Sequence, residues 1–187
     1  MFPRPNPVFR RGVRYVGSSW RDGDGTLMFP AGAAVGDLAL IATSSPSISG
    51  WTRIQDGALN IHWKRLSAGD ISSGVAISSS TSPVVCAVYA GAVAAALKAV
   101  NLTVDPLTIP GFTKTSGCLG VVAAGIASLG GGMSASAPFT VRDARSNAAS
   151  GIGLADVLPG SSYTNGTDIT LGLGGNLSRD ALALELF

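Results

Sequence analysis

Gly36-Asp37-Leu38-Ala39-Leu40-Ile41-Ala42-Thr43, with the polar loop Ser44-Ser45-Pro46-Ser47 and then Gly50-Trp51-Thr52, is the stretch that decides the fold. Gly36 and Asp37 end the preceding loop. Leu38–Ala42 is an unbroken apolar run of strand length, as a strand buried on both faces requires. The Ser/Pro loop supplies turn residues, and Gly50 lets the backbone turn tightly before Trp51 enters the next strand. An indole at that point can seal the end of a two-sheet core. Pro83–Ala90 and Cys118–Ala127 share the same continuous apolar character, so the three are expected to lie together in the interior of a sandwich.

Working outward, Val13–Ser19 alternates apolar residues with Arg and polar ones and reads as a first strand. Asp22-Gly23-Asp24-Gly25 is a turn; it lacks the later ligand positions and the closing Glu of a calcium loop. Thr26–Phe29 is a short strand. Asp56-Gly57, between Trp51–Gln55 and Ala58–Leu66, is a hairpin signal. In its second strand Leu59, Ile61 and Trp63 share one face, while Asn60, His62 and Lys64 share the other, which is expected to meet solvent. His62, the only histidine, therefore reads as a solvated residue rather than a base or ligand. Ser67-Ala68-Gly69-Asp70 is read as a turn and Gly74–Ser78 as a strand.

Gly91–Val100 is rich in Ala and is read as a short helix, with a strand leaving the sheet as the alternative. Asn101–Thr115 reads as loop with edge pairing. Phe139–Arg142, Ser150–Val157, Ile169–Leu173 and Ala181–Phe187 complete ten to twelve strands. Between them stand Asp143-Ala144-Arg145-Ser146-Asn147, Pro159-Gly160 and Asn165-Gly166. Gly130-Gly131-Gly132 lacks the Lys-Ser/Thr of a phosphate-binding loop. The expected fold is all-β: a two-sheet antiparallel β-sandwich, jelly-roll-like, over residues 13–187. An extended arm over residues 1–12 precedes it, its Pro3, Pro5 and Pro7 favouring polyproline geometry.

Charged residues make up only 13% of the 187, and there are 25 glycines. A surface so poor in charge is either partly covered by partner subunits or dressed in Ser and Thr. The net charge of +2 is uneven. Arg4, Arg10, Arg11, Arg14 and Arg21 precede the first acid, Asp22; without them eight basic residues face eleven acidic ones. A body of that sign disfavours nucleic acid. Cys86 and Cys118 each sit in an apolar run and read as buried thiols, a disulfide requiring their strands to be neighbours. No secretory signal is read, and the longest apolar run, Val84–Leu97, is short of a membrane helix.

Several short motifs together carry a resemblance. They are Tyr15-Val16-Gly17-Ser18-Ser19, Phe29-Pro30-Ala31-Gly32, Gly36-Asp37-Leu38-Ala39-Leu40 and Gly50-Trp51-Thr52. Trp63-Lys64-Arg65-Leu66, Val88-Tyr89-Ala90-Gly91 and Ala183-Leu184-Glu185-Leu186 complete the set. In this order they resemble a group of small tailed-bacteriophage virion proteins, of the head-decoration or tail-tip type. The resemblance implies a jelly-roll or immunoglobulin-like sandwich, a virion location after synthesis in the host cytoplasm, and no catalytic residues, cofactor or metal. By the same analogy the chain is expected to assemble with capsid or tail subunits and with itself, as a trimer, without membrane or nucleic-acid partners.

Within that reading, Phe2, Arg4, Phe9, Arg10, Arg11 and Arg14 are the candidate partner-binding residues of the arm, with a frayed terminus as the alternative. Recognition of a host-surface glycan is the competing function. Trp20, beside Arg21 and the Asp-Gly turn, is its candidate stacking residue, whereas Trp51 and Trp63 are expected in the core. A hydrolase is disfavoured: no Gly-x-Ser-x-Gly elbow is present, and the single glutamate, Glu185, sits in a terminal strand.

Overall fold

The computed structural model describes residues 12–54, 57, 59–78, 82–101, 107–109, 118–126, 133–135, 137–147, 150–157, 169–173 and 179–187. In chain order the elements are β1 (Arg14–Asp22), β2 (Gly25–Leu27), β3 (Leu38–Thr43), β4 (Thr52–Arg53), β5 (Asn60–Arg65), α1 (Ala68–Ser73), β6 (Val75–Ile77) and β7 (Pro83–Ala90). Then follow β8 (Ala95–Asn101), β9 (Leu107–Ile109), β10 (Leu119–Ile126), β11 (Met133–Ala135), β12 (Thr140–Ser146), β13 (Gly151–Val157), β14 (Ile169–Leu173) and β15 (Arg179–Leu186). The fold is an all-β sandwich of two five-stranded antiparallel sheets, ordered β1-β7-β3-β5-β4 and β12-β13-β10-β15-β8. The three apolar runs of the sequence are internal strands of these sheets: β3 and β7 in the first, β10 in the second.

Side-chain alternation explains why β3 and β7 carry no polar residue in their middle. Leu38, Leu40 and Ala42 pair with Tyr89, Ala87 and Val85. These six point into the core between the sheets, where they meet Leu119, Val121, Ala123, Ile152, Leu154, Leu182, Leu184 and Leu186. The alternate residues Ala39, Ile41, Val84, Cys86 and Val88 point the other way and build a second core. The two-stranded sheet of β2 and β6 covers it with Leu27, Val75 and Ile77, helped by Ile48 and Leu66. Phe29, Ala33, Trp51 and Ile71 pack at its margins. The first sheet thus lies between two apolar layers.

The second sheet is buried on its far side as well: Ala155, Val157, Ala181 and Ala183 are at most 1% exposed. The three-stranded sheet β11-β14-β9 lies beside it, with β9 next to β15 and β8 and β11 next to β12 and β13.

Three readings of the sequence are corrected. Residues 95–101 form strand β8, not a helix, because Ala95, Ala96 and Leu97 pair with Leu186, Glu185 and Leu184; sheet pairing overrides the propensity of alanine. Asp143–Ser146 continues strand β12 instead of turning, through register with Leu154, Gly153, Ile152 and Gly151. Ser67–Asp70 opens helix α1. Ser67 Oγ accepts from the Asp70 amide while the Asp70 carboxylate accepts from the Ser67 amide, a capping box. Lys64 Nζ lies 2.8 Å from Asp70 Oδ1. Partial burial works against the Asp70 carboxylate, but Lys64 and Ser67 outweigh it and hold its pKa below the ordinary value. The helix ends at Gly74, whose φ of 71° and approach to the Leu27 carbonyl leave no room for a Cβ.

The outer layer has an energetic signature. Truncating Ile41 to alanine, a surface change in a two-layer sandwich, is expected to cost about 2–5 kcal/mol, as much as Leu40→Ala. Urea denaturation of the two variants checks this; a cost for Ile41→Ala below about 1 kcal/mol contradicts a second core of this kind.

Candidate functional site

Of the residues that the sequence nominates, Phe2, Arg4, Phe9, Arg10 and Arg11 lie outside the described residues. Arg14 opens β1 and is exposed. Trp20 is 47% exposed, as expected for a side chain outside the core. It stands on a seam where edge strand β1 of one sheet meets edge strand β12 of the other. Arg145 lies over the Trp20 ring, its guanidinium carbon 4.6 Å from the centroid, and bonds Asp143 at 2.8 Å. Further along the seam Asn147 Nδ2 donates to Asp22 Oδ1 at 2.7 Å, and Ser18 Oγ donates to the Arg142 carbonyl at 3.4 Å.

Arg142 is the centre of this seam. The register of β12 with β13 skips it, and an extra residue in a strand re-aims its side chain. The guanidinium turns to Asp156, fully buried on β13, and places Nε and Nη2 each 2.8 Å from Oδ1. Its other contact is the Tyr15 ring, 4.4 Å away, and Tyr15 meets Tyr89 edge-on at 5.8 Å. The register of β1 with β7 skips Val16, directly after Tyr15. Burial lowers the guanidinium's affinity for its proton, but the Asp156 carboxylate outweighs this and raises it. Burial, with Asp156 adding to it, pushes the Tyr89 hydroxyl well above the usual phenol range. Tyr89 Oη and Asp156 Oδ2 each lack a hydrogen bond among the described residues. A second skipped cation, Lys98 on β8, reaches the buried carboxylate of Glu185 at 2.7 Å.

His62 is a further correction. It is 1% exposed, and Asn60 beside it is 2% exposed. The polar face of β5 is covered by the loop after β3: His62 Nε2 lies 3.2 Å from the Ser45 carbonyl, and Asn60 Nδ2 donates to the carbonyls of Ser44 and Gly57. Alternation correctly separates the two faces of β5, but it does not reveal that a loop returns over one of them. Facing a carbonyl, Nε2 carries the proton, which leaves Nδ1 an acceptor with no partner among the described residues. Burial lowers the His62 pKa below 6.5, only partly offset by the Ser45 carbonyl, and the nearby Arg53 charge lowers it further.

The same loop shapes an open cleft of about 400 Å³ lined by Pro46, Ser47, Ile48, Trp51, Arg53 and His62. Each wall is fixed by bonds from the loop. Ser45 Oγ donates to the Ser47 and Ser78 carbonyls, and the Ser45 amide donates to Thr43 Oγ1. Arg53, opposite His62 across β4 and β5, donates from Nη1 to the Pro46 carbonyl at 2.8 Å. The Trp51 amide closes a turn onto the Ile48 carbonyl at 3.1 Å, with Gly50 at a φ of 76° that other residues rarely adopt. The Trp51 ring then stacks on Phe29, centroids 6.2 Å apart and planes 11° from parallel. Trp51 is thus both a margin of the second core and a wall of the cleft; Trp63 packs against the first core. The sequence points to this loop as a turn, but the pairing of Arg53 with His62 depends on hairpin length, which Asp-Gly alone does not fix.

Cys86 and Cys118 are buried and not joined in a disulfide. Burial pushes the Cys86 thiol up to about 12, far from the thiolate a nucleophile needs. Among the described residues no group of three His, Cys, Asp or Glu side chains could hold a metal ion, and no helix is long and apolar enough to cross a membrane. Compared with protein-family models, with curated proteins and with solved structures, the chain finds no match.

Two outcomes follow from these buried groups. Because the folded pKa of His62 is depressed, its neutral form adds stability that is complete above about pH 6.5 and is lost as pH falls towards the folded value. Denaturation curves between pH 7 and pH 5 are expected to show this loss in the native sequence and a smaller one in His62→Gln. Removing one partner of the buried ion pair, in Arg142→Met or Asp156→Leu, is expected to cost about 3–5 kcal/mol, and the double change Arg142→Met/Asp156→Leu less than the sum of the two. Additive costs in that cycle contradict a coupled pair.

Proposed function

We propose that the chain is a non-enzymatic structural subunit of a tailed-phage virion, attached to the capsid or tail surface and stabilising or extending it. The observation that carries this reading is how the acidic side chains are used. Asp37 holds the Ala34 amide, Asp70 caps α1, and Asp180 accepts from the Leu59 amide at 2.8 Å. Asp156, Asp143 and Glu185 pair with Arg142, Arg145 and Lys98, and Asp22 takes the Asn147 amide. Carboxylates committed in this way support a rigid scaffold better than a reaction centre, where they would be held ready for a substrate. The phage context rests on the sequence resemblance, and the sandwich fold is the one that the resemblance implies.

Attachment is assigned to the Arg- and Phe-bearing arm, Phe2, Arg4, Phe9, Arg10 and Arg11, with the exposed Arg14 at the start of β1 beside it. Arginines there would pair with acidic or carbonyl-rich grooves of underlying subunits, and a repeating surface would favour a symmetric oligomer, a trimer by analogy. Glycan recognition is the second reading. The exposure of Trp20 favours it, although Arg145 already covers part of that ring.

Deleting Met1–Gly12 is expected to leave the thermal unfolding transition in place and to abolish co-sedimentation with the particle. Truncated protein that still co-sediments contradicts attachment through the arm; full-length protein that never does contradicts the virion reading itself.

A further inference from the structure

His62 is a basic group sealed beneath a piece of surface. It is 1% exposed, and its cover is the segment 44–51 between β3 and β4, in which Pro46, Ser47, Ser49 and Gly50 are exposed. We propose that this segment is an acid-released cover: protonation of His62 at Nδ1 lifts it from β5 while both five-stranded sheets stay closed. This goes beyond the loss of overall stability expected above, because it names the part that opens. It is independent of the virion role.

The neutral ring suits its site. Nε2–H faces the Ser45 carbonyl at 3.2 Å, and the buried Nδ1 has no partner among the described residues. A proton taken from solvent turns Nδ1 into a donor and gives the ring a full charge in the same place. A buried donor without an acceptor and a buried charge both favour a form that water can reach. The neighbouring side chains add to this. From β4 comes the cation Arg53. Along the same face of β5 stands Lys64, bonded to Asp70 of α1. In the row through β3 and β7, His62 is followed by Ile41 and Cys86, whose thiol burial keeps protonated. β2 and β6 bring Leu27, Val75 and Ile77 to this side, and the sequence of 44–51 contains no ionisable side chain.

The cover can leave without parting the strands that it joins. β3 and β5 hold each other through their own register, from Leu38 with Arg65 to Thr43 with Asn60. The segment is tied down by Ile48, which enters the second core, and by side-chain hydrogen bonds. Ser45 Oγ donates to the Ser78 carbonyl at 2.6 Å, Asn60 Nδ2 to the Ser44 carbonyl and Arg53 Nη1 to the Pro46 carbonyl. A short surface segment with so little buried apolar area opens locally at a lower cost than the sheets beneath it. Opening admits water to His62 and restores its ordinary affinity for a proton, which burial depresses in the closed form. The closed form is therefore favoured above about pH 6.5 and loses ground as pH falls.

The test is amide hydrogen exchange of the full-length protein from pH 7.5 to pH 4.5, expressed as protection factors so that the intrinsic pH dependence of exchange divides out. The Ser45 and Trp51 amides, whose bonds lie within the segment, are expected to lose protection by up to about tenfold per pH unit below pH 6.5. Amides of β7 and β10 are expected to keep theirs, and in His62→Gln, whose amide can still donate to the Ser45 carbonyl, the slope at Ser45 and Trp51 is expected to vanish. The single histidine also gives one imidazole proton resonance, so its titration can be followed in the native sequence alone; it is expected to move together with the loss of protection. Protection at Ser45 and Trp51 that is flat with pH overturns the proposal. So does the same slope in His62→Gln, an equal loss in β7 and β10, or an imidazole that titrates while the segment stays protected.

Discussion

A strand without a polar face cannot sit at a surface, and β3 and β7 are two such strands side by side. Everything else in the first half of the chain follows from covering them twice. One cover is the second five-stranded sheet, which supplies Leu, Val and Ile from β10, β13 and β15. The other is assembled from short pieces: a two-stranded sheet, one turn and a half of capped helix, and loops bearing Phe29 and Trp51. Burial of apolar area at about 25 cal/mol per Å² drives both. The short pieces contribute few backbone hydrogen bonds of their own, so they hold position through side chains and turns. Gly50 and Gly74 matter for that reason; each lets a cover element reverse direction where a side chain would not fit or would strain the backbone.

The charged groups are arranged around this core. A lone buried carboxylate is costly, and Asp156 and Glu185 each have a cation supplied by a bulge residue, Arg142 and Lys98. A regular strand would alternate these cations to fixed faces; one extra residue frees them to turn. The same device stitches β1 to β12. An edge strand left open is a template for unwanted pairing, and here arginines, an asparagine and a serine bind the edges of the two sheets to each other.

The frame of the fold was legible because it depends on local pattern. Apolar runs long enough for strands and short enough not to be helices marked β3, β7 and β10, and Gly, Pro and Asp-Gly marked many of the turns. What the pattern concealed was decided by distant partners. Helical propensity in Ala95–Leu97 gave way to the edge of β15, a neighbour far along the chain. Alternation alone assigns His62 to solvent, because one strand read by itself cannot show a loop folded over it; its partner, the Ser45 carbonyl, is 17 residues away. Of the sites, the exposure of Trp20 could be anticipated from its neighbours. The cleft could not, since it exists only when β4, β5 and the loop after β3 come together. The capping box was the one missed feature with a purely local signature, Ser67-x-x-Asp70.

The order of strands in the sheets bears on how this molecule behaves in time. β1 pairs with β7 across some sixty residues, and β15 enters the second sheet between β8 and β10. Few of these pairings are hairpins, so most native hydrogen bonds form only after long stretches of chain have closed into loops. Such topologies fold slowly, on the order of milliseconds to seconds. The reverse route is equally constrained: no strand can be peeled from the middle of either sheet without parting two neighbours at once. A high barrier crossed in either direction adds a kinetic form of persistence to the equilibrium stability of the fold.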